Sequence, residues 1–450
     1  MERPGNWRPC PLREWGPLGE RRLGSDGREL AEFHFLNHVP DALRELITSS
    51  RTAPKAWLKL WGMTRLASRE ALATEAAPGI DARKLCELLQ ASGQTLPTYV
   101  AVDIARAVTE AWFNGPGAHH VTPDRVRLTW TGEVRLSHDL EATLRAWGQF
   151  ARPDPHATPP EVIRGFPQDP RTAVYSVGVL LLMLLTRLTR LPAPPRGESP
   201  RSPLDDADFI ERQRPGLKTV LERALLVDAD ARFDTPAQLR ERLAPFAGRE
   251  GETQSWLSQH LPKIASWELT RHQLSIDLLT GRDPEPLPPE LEARLLDHPE
   301  DEDAWAVLGD HLMARGSPRG ELAEVQRRLE ASPSDAALKK HEQLLLEADA
   351  RLDPPRALRC EFHRGYVRKV EVGPDADLAA LEEAMAHPSL RFLHTLKVTQ
   401  LRLTEPALSV LVAAKHRAVR RLELPVGLLV DEKALRAALP RLEAIVSHQV

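Results

Sequence analysis

The chain has 450 residues, 42% of them hydrophobic and 28% charged, which is enough for two to four globular domains with sizeable cores. A net charge of −4 gives no reason to expect binding to nucleic acid or to an anionic membrane. The three cysteines are far apart in sequence and odd in number, which argues against a disulfide framework or a metal site. The first residues lack the apolar segment of a signal peptide, so we expect a cytoplasmic protein.

Residues 1–19 are rich in Pro, Gly, Trp and Arg and are predicted to form a loose lead-in. Further along, three segments follow one another: Thr158–Gly165 (TPPEVIRG), Arg171–Thr186 (RTAVYSVGVLLLMLLT) and Leu221–Phe233 (LERALLVDADARF). The middle segment is apolar nearly all round and too short to cross a bilayer, so it predicts a helix buried in a large domain. In this order the three segments resemble the large lobe of a bacterial Ser/Thr protein kinase, and the likeness covers residues 20–247.

The segment Leu23–Ala31 stands where a kinase has its glycine-rich phosphate loop. Gly24 fits, but Asp26 and Glu29 stand where the second and third glycines would be. Two carboxylates facing a triphosphate would repel it. The alternative is an ordinary turn between two strands.

Lys59 stands where the third kinase strand carries its phosphate-contacting lysine. Residues 68–76 are predicted to form a helix with Ser68 as N-cap, and Glu70 best matches the glutamate that pairs with this lysine, with Glu75 as a second candidate. A Lys59–Glu70 pair could contact a nucleotide or could be structural.

The chain runs from Ala77 almost directly into a predicted helix at 85–93, which resembles the helix after the kinase hinge. We therefore expect the two strands and the hinge that bind adenine in a kinase to be missing. The strongly periodic stretch 96–112 predicts the long helix that leads into the catalytic loop.

The loop Gly117–Leu128 departs from the kinase pattern wherever chemistry needs a particular side chain. Aligned on Pro123, three positions are changed: His120 replaces the catalytic Asp, Thr122 the phosphate-binding Lys and Arg125 the metal-binding Asn. His138 then replaces the magnesium-binding Asp of Asp-Phe-Gly, and Asp139 is one residue out of register. Magnesium needs oxygen ligands, which imidazole and guanidinium do not supply, so we expect neither kinase activity nor bound ATP and magnesium.

His119, His120 and His138 also allow a zinc site as an alternative, although histidine pairs in loops are more often solvated or hydrogen-bonded to backbone.

The architectural residues of the kinase pattern persist. Glu161 stands at the Glu of Ala-Pro-Glu and Arg232 at its buried arginine partner, which implies an ion pair. Ala173 replaces the Asp that tethers a working catalytic loop.

Residues 248–289 are predicted to be a linker with a bridging helix. The following segment, Leu291–Gln326, resembles the repeat-companion motif of large bacterial proteins, with an acidic Pro turn, a Trp-Ala helix and the turn RGSPRGE. Asp310, Arg319 and Glu321 could form a polar site, but ion pairs that lock the turn are the favoured interpretation.

Short β-patterns recur at Val367, Leu393 and Val419 with a spacing of 26 residues, and at Leu442 after a further 23. Helical stretches lie between them, so the tail predicts a leucine-rich-like solenoid of strand-plus-helix units. One face of these strands is a candidate partner surface, with a solvated charged face as the alternative. Its residues are Arg368, Lys369, Glu371, His394, Lys397, Arg420, Arg421 and Glu423.

Together these patterns predict an α+β protein with a truncated two-lobed kinase-like domain (20–247), a linker (248–289), a small helical domain (290–355) and a short α/β leucine-rich-like solenoid (356–450). The predicted function is a signalling scaffold that binds protein partners through the inactive kinase-like lobe and the repeats. We expect no catalysis, cofactor, nucleic acid or membrane insertion. The alternatives are a nucleotide-binding switch that uses Lys59, and a structural subunit of a larger assembly.

Overall fold

The computed structural model describes residues 7–16, 19–26, 29–36, 43, 47, 56–66, 69–113, 121–138, 158–186, 214–354, 358–373, 378–414, 416–426 and 431–448. The chain folds into two compact units. The N-terminal unit holds the described residues of Met1–Pro9 and Glu14–Leu269, and the C-terminal unit holds Cys10–Arg13 and those of Thr270–Val450.

The N-terminal unit begins with an antiparallel sheet. Its strands are β1 Arg8–Pro9, β2 Glu14–Gly16, β3 Gly19–Ser25, β4 Leu30–Phe35, β5 Leu60–Leu66 and β6 Arg69–Glu75. They lie in the order β1-β3-β4-β6-β5, with β2 also paired to β3. Strand β4 alternates, because Ala31, Phe33 and Phe35 are buried in the sheet's own small core while Glu32 and His34 lie on the other face. A turn joins β3 to β4, in which the Asp26 carboxylate accepts from the Glu29 backbone N–H at 2.9 Å.

The helix predicted at 68–76 is wrong, because residues 69–75 form strand β6 between β4 and β5. Ala and Glu favour helices in isolation, but both faces of this strand are covered and residues 71–74 are all buried. Strands β5 and β6 are paired, and Ala76–Pro78 connects them to the helical part of the unit. Between Ala77 and the next helix lies only the short strand β7, Gly79–Asp81.

The rest of the N-terminal unit is mainly helical. The helices are α1 Ala82–Ser92, α2 Thr98–Phe113, α3 Pro160–Ile163, α4 Pro170–Thr186, α5 Leu217–Ala224, α6 Pro236–Leu243, α7 Glu252–Ile264 and α8 Ser266–Thr280, the last of which continues into the C-terminal unit. Helix α4 lies at the centre, and 13 of its 17 residues are buried, as the apolar run predicts. Gly178 permits a close approach to α5, since a Cβ there would lie 3.0 Å from Leu225 and 3.2 Å from Ala224.

A small antiparallel sheet lies against this helical core. It consists of β7 Gly79–Asp81, β8 Val126–Thr129 and β9 Val134–Leu136, in that order. Strand β7 follows the connecting residues 76–78, and its Asp81 caps α1 by accepting from the Lys84 N–H at 2.8 Å.

The boundary predicted at residue 248 is misplaced. Asp103 of α2 accepts from the Gly248 N–H at 3.2 Å and from the Thr253 hydroxyl at 2.7 Å. In addition, Leu257 and Leu261 of α7 are fully buried in the same core as α4. Residues 248–264 are therefore an integral part of the N-terminal unit, not a linker.

The C-terminal unit continues with four helices, α9 Pro289–Asp297, α10 Glu302–Ala314, α11 Pro318–Ala331 and α12 Ala336–Ala348. After them come five strands, β10 Arg359–His363, β11 Tyr366–Val372, β12 Thr395–Val398, β13 Arg421–Pro425 and β14 Ala444–His448. Three helices alternate with the later strands, α13 Leu378–Met385, α14 Leu401–Ala413 and α15 Glu432–Ala438.

The strands form one sheet in the order β10-β11-β12-β13-β14. From β11 onward the pairing is parallel, and its register follows the sequence repeat, with Lys369 opposite Thr395, Thr395 opposite Arg421 and Arg421 opposite Ala444. Strand β10 is antiparallel to β11. The helices and the sheet share a core in which Trp305 and Leu308 of α10 contact Tyr366 and Phe392. Residues 290–355 and 358–448 are therefore parts of one unit, not two separate domains.

No helix in the described part of the chain is long and apolar enough to cross a bilayer.

Candidate functional site

Arg127 of strand β8 lies between the large antiparallel sheet and the segment that connects this sheet to the helices. Its Nε donates to the carbonyl oxygen of Ala77 at 3.1 Å. Its Nη2 donates to Oε2 of Glu32, on strand β4, at 2.9 Å. Both side chains are largely buried, at 12% and 13% exposed. The guanidinium therefore joins three elements that are distant in sequence.

The Glu32 carboxylate is held by basic groups on both oxygens. Oε1 lies 3.3 Å from Nη1 of Arg21 and 3.3 Å from Nε2 of His34. Burial disfavours the ionised carboxylate, but Arg21, Arg127 and His34 outweigh it and lower the pKa of Glu32 to about 2. Burial lowers the pKa of His34, so this imidazole is neutral at pH 7. Side chains of the protein itself therefore already occupy both oxygens of the Glu32 carboxylate.

A second bridge joins the same sheet to strand β9. Nη2 of Arg135 donates to both oxygens of Glu75, at 3.0 and 3.1 Å, and lies within 3.4 Å of the Trp57 carbonyl. The carboxylate of Glu75 also accepts from the backbone N–H of Lys59 at 3.1 Å. The Glu75 carboxylate, at the end of strand β6, is therefore held by Arg135 and the Lys59 backbone.

Lys59 and Glu70, the predicted nucleotide contacts, are not brought together. Lys59 is exposed and directly precedes strand β5, and its neighbour across the sheet is Glu75. Glu70 is exposed at the opposite end of the strand pair, where it is paired with Arg65. Lys59 is therefore not on the third strand, and the expected Lys59–Glu70 pair is wrong.

Arg125 and His138, two positions that the sequence comparison aligned with kinase catalytic residues, lie together in the core around Trp57. The Trp57 indole N–H donates to the Ala111 carbonyl at 2.9 Å, and its ring lies 5.2 Å from the imidazole of His138. Nε2 of His138 donates to the Leu58 carbonyl at 2.9 Å. Nε of Arg125 donates to the Ser137 carbonyl at 3.1 Å, and the guanidinium lies 5.9 Å from the Trp57 ring.

The side chains of this cluster are buried and bonded to backbone groups. Arg125 is 7% exposed and His138 is 4% exposed. Burial lowers the pKa of His138 to about 4 despite its hydrogen bond to Leu58, so the ring is neutral at pH 7. Among the residues that the structure describes, no three His, Cys, Asp or Glu side chains come together as metal ligands. Thr122 precedes the short 3-10 turn 123–125, and His119, His120 and Asp139 lie outside the described residues.

Glu161 and Arg232 do form the ion pair that the sequence implies. Two hydrogen bonds of 2.8 and 3.0 Å join the guanidinium to the carboxylate. Arg232 has a fully buried side chain and also donates to the carbonyls of Leu226, Val227 and Arg171. Arg232 lowers the pKa of Glu161 against the opposing effect of burial. Ala173, the position of the absent tether, is fully buried in helix α4.

In the C-terminal unit, Arg319 is the central polar residue. Its side chain is fully buried, and Nε donates to Oε2 of Glu285 at 2.5 Å. The other nitrogens donate to the carbonyls of Gly365 at 2.6 Å and Arg351 at 2.7 Å. Arg319 therefore pairs with Glu285 and not with Asp310 or Glu321, while Glu321 lies beside His341 at 3.0 Å. We expected ion pairs within one turn, but Arg319 instead joins helix α11 to the β10–β11 hairpin.

The predicted partner surface is largely neutralised by its own charges. Across the sheet, Nζ of Lys397 lies 3.2 Å from Glu371, and Nζ of Lys369 lies 3.8 Å from Glu423. Arg421 also lies 2.9 Å from Glu423. These contacts favour the alternative of a charged, solvated face with internal pairs.

Arg368 and Arg420 contact residues next to or at the end of a helix of the same unit. Arg368 pairs with Glu300, next to helix α10. Arg420 pairs with Glu443, and its Nη2 donates to the last carbonyls of helix α9, at 2.8 Å to Leu296 and 2.7 Å to Asp297. A guanidinium at a helix C-terminus stabilises the helix, so Arg420 fastens α9 to the sheet.

The sequence did not single out Arg127, Glu32 or Trp57. A signal exists in retrospect. Arg127 lies between Val126 and Leu128, and Glu32 lies between Ala31 and Phe33, so each charge occupies the polar side of an alternating strand. Their pairing over 95 residues needs the fold.

No protein-family model matches this chain, and no curated protein matches it.

Proposed function

We propose that this chain is a catalytically inactive, kinase-like scaffold that binds protein partners without a nucleotide. In this proposal the N-terminal unit is a two-lobed kinase-like domain. The C-terminal unit is then a repeat-companion region with leucine-rich-like repeats. The observation that carries the proposal is the buried ion pair of Arg127 with Glu32, which joins strand β8 to the large sheet beside the connecting segment 76–78. We take this segment as the counterpart of the kinase hinge.

Two features support inactivity. The Ala77 carbonyl, on the segment that this proposal takes as the counterpart of the kinase hinge, already accepts a hydrogen bond from Arg127. The positions aligned with the two metal ligands hold Arg125 and His138, which are buried and bonded to backbone. Phosphoryl transfer depends on positioning and on charge neutralisation by metal and cations, and neither position offers magnesium a carboxylate.

Two features support a role in binding rather than in chemistry. The residues that maintain the architecture, such as Glu161 and Arg232, keep their contacts although the catalytic positions have changed. The parallel strands of the C-terminal unit repeat at 26 residues, the length of strand-plus-helix units that form extended binding surfaces. The internal charge pairing of the sheet means that a partner would have to recognise shape as well as charge.

Thermal unfolding of the full chain with and without millimolar ATP and Mg²⁺ tests the proposal. A ligand at 100 times its dissociation constant adds about 2.7 kcal/mol to the free energy of unfolding, so binding is readily seen as a shift of the midpoint. We expect no shift in the wild type or in Lys59→Ala. A shift that disappears in Lys59→Ala would instead support the nucleotide-binding switch.

A further inference from the structure

An open groove lies between helices α13 and α14 of the C-terminal unit. Its volume of about 620 Å³ falls in the range of sites that hold a small ligand or several side chains. Most of its lining is apolar and comes from Met385, Ala386, Pro406, Val410, Ala413 and Ala414. Because Ala413 and Ala414 are exposed, this concave apolar surface is accessible to solvent.

Helix α14 has two apolar faces, of which the core needs only one. The first face is buried in the core of the unit and includes Ala407, Leu408 and Leu411. The second face lines the groove and consists of Pro406, Val410, Ala413 and Ala414, at the spacing of one side of a helix. A surface helix normally has polar residues opposite its core face. The second apolar face of α14 therefore predicts that another molecule covers it.

The charge of the groove restricts what that molecule is. Among the described residues that line the groove, Glu382 is the only charged one, and it is exposed. No ion pair or hydrogen bond found in the described part of the chain uses its carboxylate. The next residue, Glu383, is instead buried and pairs with Arg13 and Arg271. An unpaired carboxylate beside an apolar surface is complementary to a ligand that carries a positive charge next to apolar groups.

The groove continues into a second recess, of about 370 Å³, because Met385 and Ala386 line both. Arg282 lines this recess, is 66% exposed, and has the nearest oxygen of Asp277 at 3.8 Å. Glu382 lines only the first part of the groove and Arg282 only the second. The two parts therefore carry opposite charges, which complement a segment that is basic at one end and acidic at the other.

We propose that this groove binds an amphipathic helix of a partner protein, with apolar residues in the groove and a Lys or Arg beside Glu382. A helix whose apolar residues recur three and four apart presents them in one row, which suits a groove that runs between two helices. The inference rests on the proposed scaffold function and deepens it, because it names the surface and the kind of partner. The charges of Glu382 and Arg282 set the direction in which the partner helix lies.

The test is the binding of a designed helical peptide to the full chain, measured by fluorescence anisotropy of the labelled peptide. The peptide has leucines along one face and lysines beside them. We expect saturable binding of one peptide per chain, and weaker binding of the same peptide with glutamate at every lysine. Ala413→Gln places a longer side chain in the groove and should weaken binding by roughly tenfold. Glu382→Gln should weaken it by about twofold to fivefold, an effect that high salt removes.

Matched variants control for general effects of these changes. Ala437→Gln makes the same substitution at an exposed position of helix α15, and Glu405→Gln removes an exposed carboxylate of α14 that does not line the groove. Both should bind the peptide like the wild type. All four positions are exposed, so the unfolding midpoints should agree with that of the wild type. If Ala413→Gln does not fold, Ser409→Gln replaces it, because Ser409 is also exposed and lines the groove.

Three results would overturn the inference: no saturable binding, equal binding of the lysine and glutamate peptides, or equal affinities of Ala413→Gln and Ala437→Gln. A chain that dimerises without peptide, and becomes monomeric in Ala413→Gln, would show that a second copy fills the groove and would overturn the assigned partner. The ATP experiment is independent. Stabilisation of the wild type by ATP would contradict the proposed function whatever the peptide does, whereas failed peptide binding without ATP binding would contradict only the role of the groove.

Discussion

The guanidinium of Arg232 pairs with the carboxylate of Glu161, 71 residues earlier in the chain, through two hydrogen bonds of 2.8 and 3.0 Å. Every nitrogen of the guanidinium also has a carbonyl or carboxylate partner, and the side chain is shielded from water. The pair joins short helix α3 to the loop that follows helix α5.

We expect Arg232→Ala to lower the free energy of unfolding of the N-terminal unit by about 3–5 kcal/mol, because it leaves a carboxylate and several carbonyls without a donor. Urea denaturation measures this loss. Arg171→Ala is the control, since Arg171 pairs with the exposed Asp230 and should cost less than about 1 kcal/mol. Equal losses in the two variants would show that burial of the pair is unimportant.

Arg319 should have the same importance in the C-terminal unit. Its guanidinium satisfies Glu285 and the carbonyls of Gly365 and Arg351, so Arg319→Ala should lower the free energy of unfolding by about 3–5 kcal/mol. Arg327→Ala removes an exposed pair with Glu324 in the same helix, and we expect a change within about 0.5 kcal/mol. Thermal unfolding distinguishes the two; a mild Arg319→Ala would mean that the buried network is dispensable.

Arg420 and Arg421 are adjacent but should behave differently. Arg420→Ala removes the donor to the end of helix α9 and should lower the free energy of unfolding by about 1–2 kcal/mol. Arg421 is more exposed and pairs with Glu423 on the sheet surface, so Arg421→Ala should change it by less than about 1 kcal/mol. Chemical denaturation of both variants at one salt concentration tests the difference, and a larger loss in Arg421→Ala would contradict the assignment of Arg420 as the fastener.

Acid should destabilise the N-terminal unit partly through His138. Its pKa is about 4 in the folded protein against 6.5 for an unperturbed imidazole, so the unfolded chain binds more protons between these values. Stability is therefore lost as the pH falls from about 7 to about 4, by about 3 kcal/mol for this one group. His138→Phe should remove that part of the pH dependence. Denaturation of the wild type and of His138→Phe at pH 7 and pH 4.5 measures it.

The sequence correctly predicted helices whose apolar pattern lies within their own residues. The apolar run at 171–186 forms the buried helix α4, and the periodic stretch 96–112 forms α2. The 26-residue repeat also fixed the strand register, since identical spacing keeps equivalent residues opposite one another.

The features that the sequence did not predict depend on contacts between residues that are far apart in the chain. Residues 69–75 are rich in helix formers, yet they form a strand because β4 and β5 pair along its two edges and apolar clusters cover its faces. This error put a helix between Lys59 and the connecting segment 76–78, where the structure has strand β6. Arg127 and Glu32 carry no local sign of their pairing, and the contacts of Arg368 and Arg420 depend on helices more than 60 residues away.

The position of helix α4 in the core affects how the chain folds during its synthesis. Leu257, Leu261 and Ala265 belong to the same core, so the last residues of the core that contains the helix emerge from the ribosome about 80 residues after the helix itself, or roughly 4–16 s at ordinary rates of elongation. For that interval the core around the helix is incomplete. The nascent chain should therefore be a client of chaperones that hold apolar segments, and an expressed fragment that stops at residue 247 should keep an incomplete core.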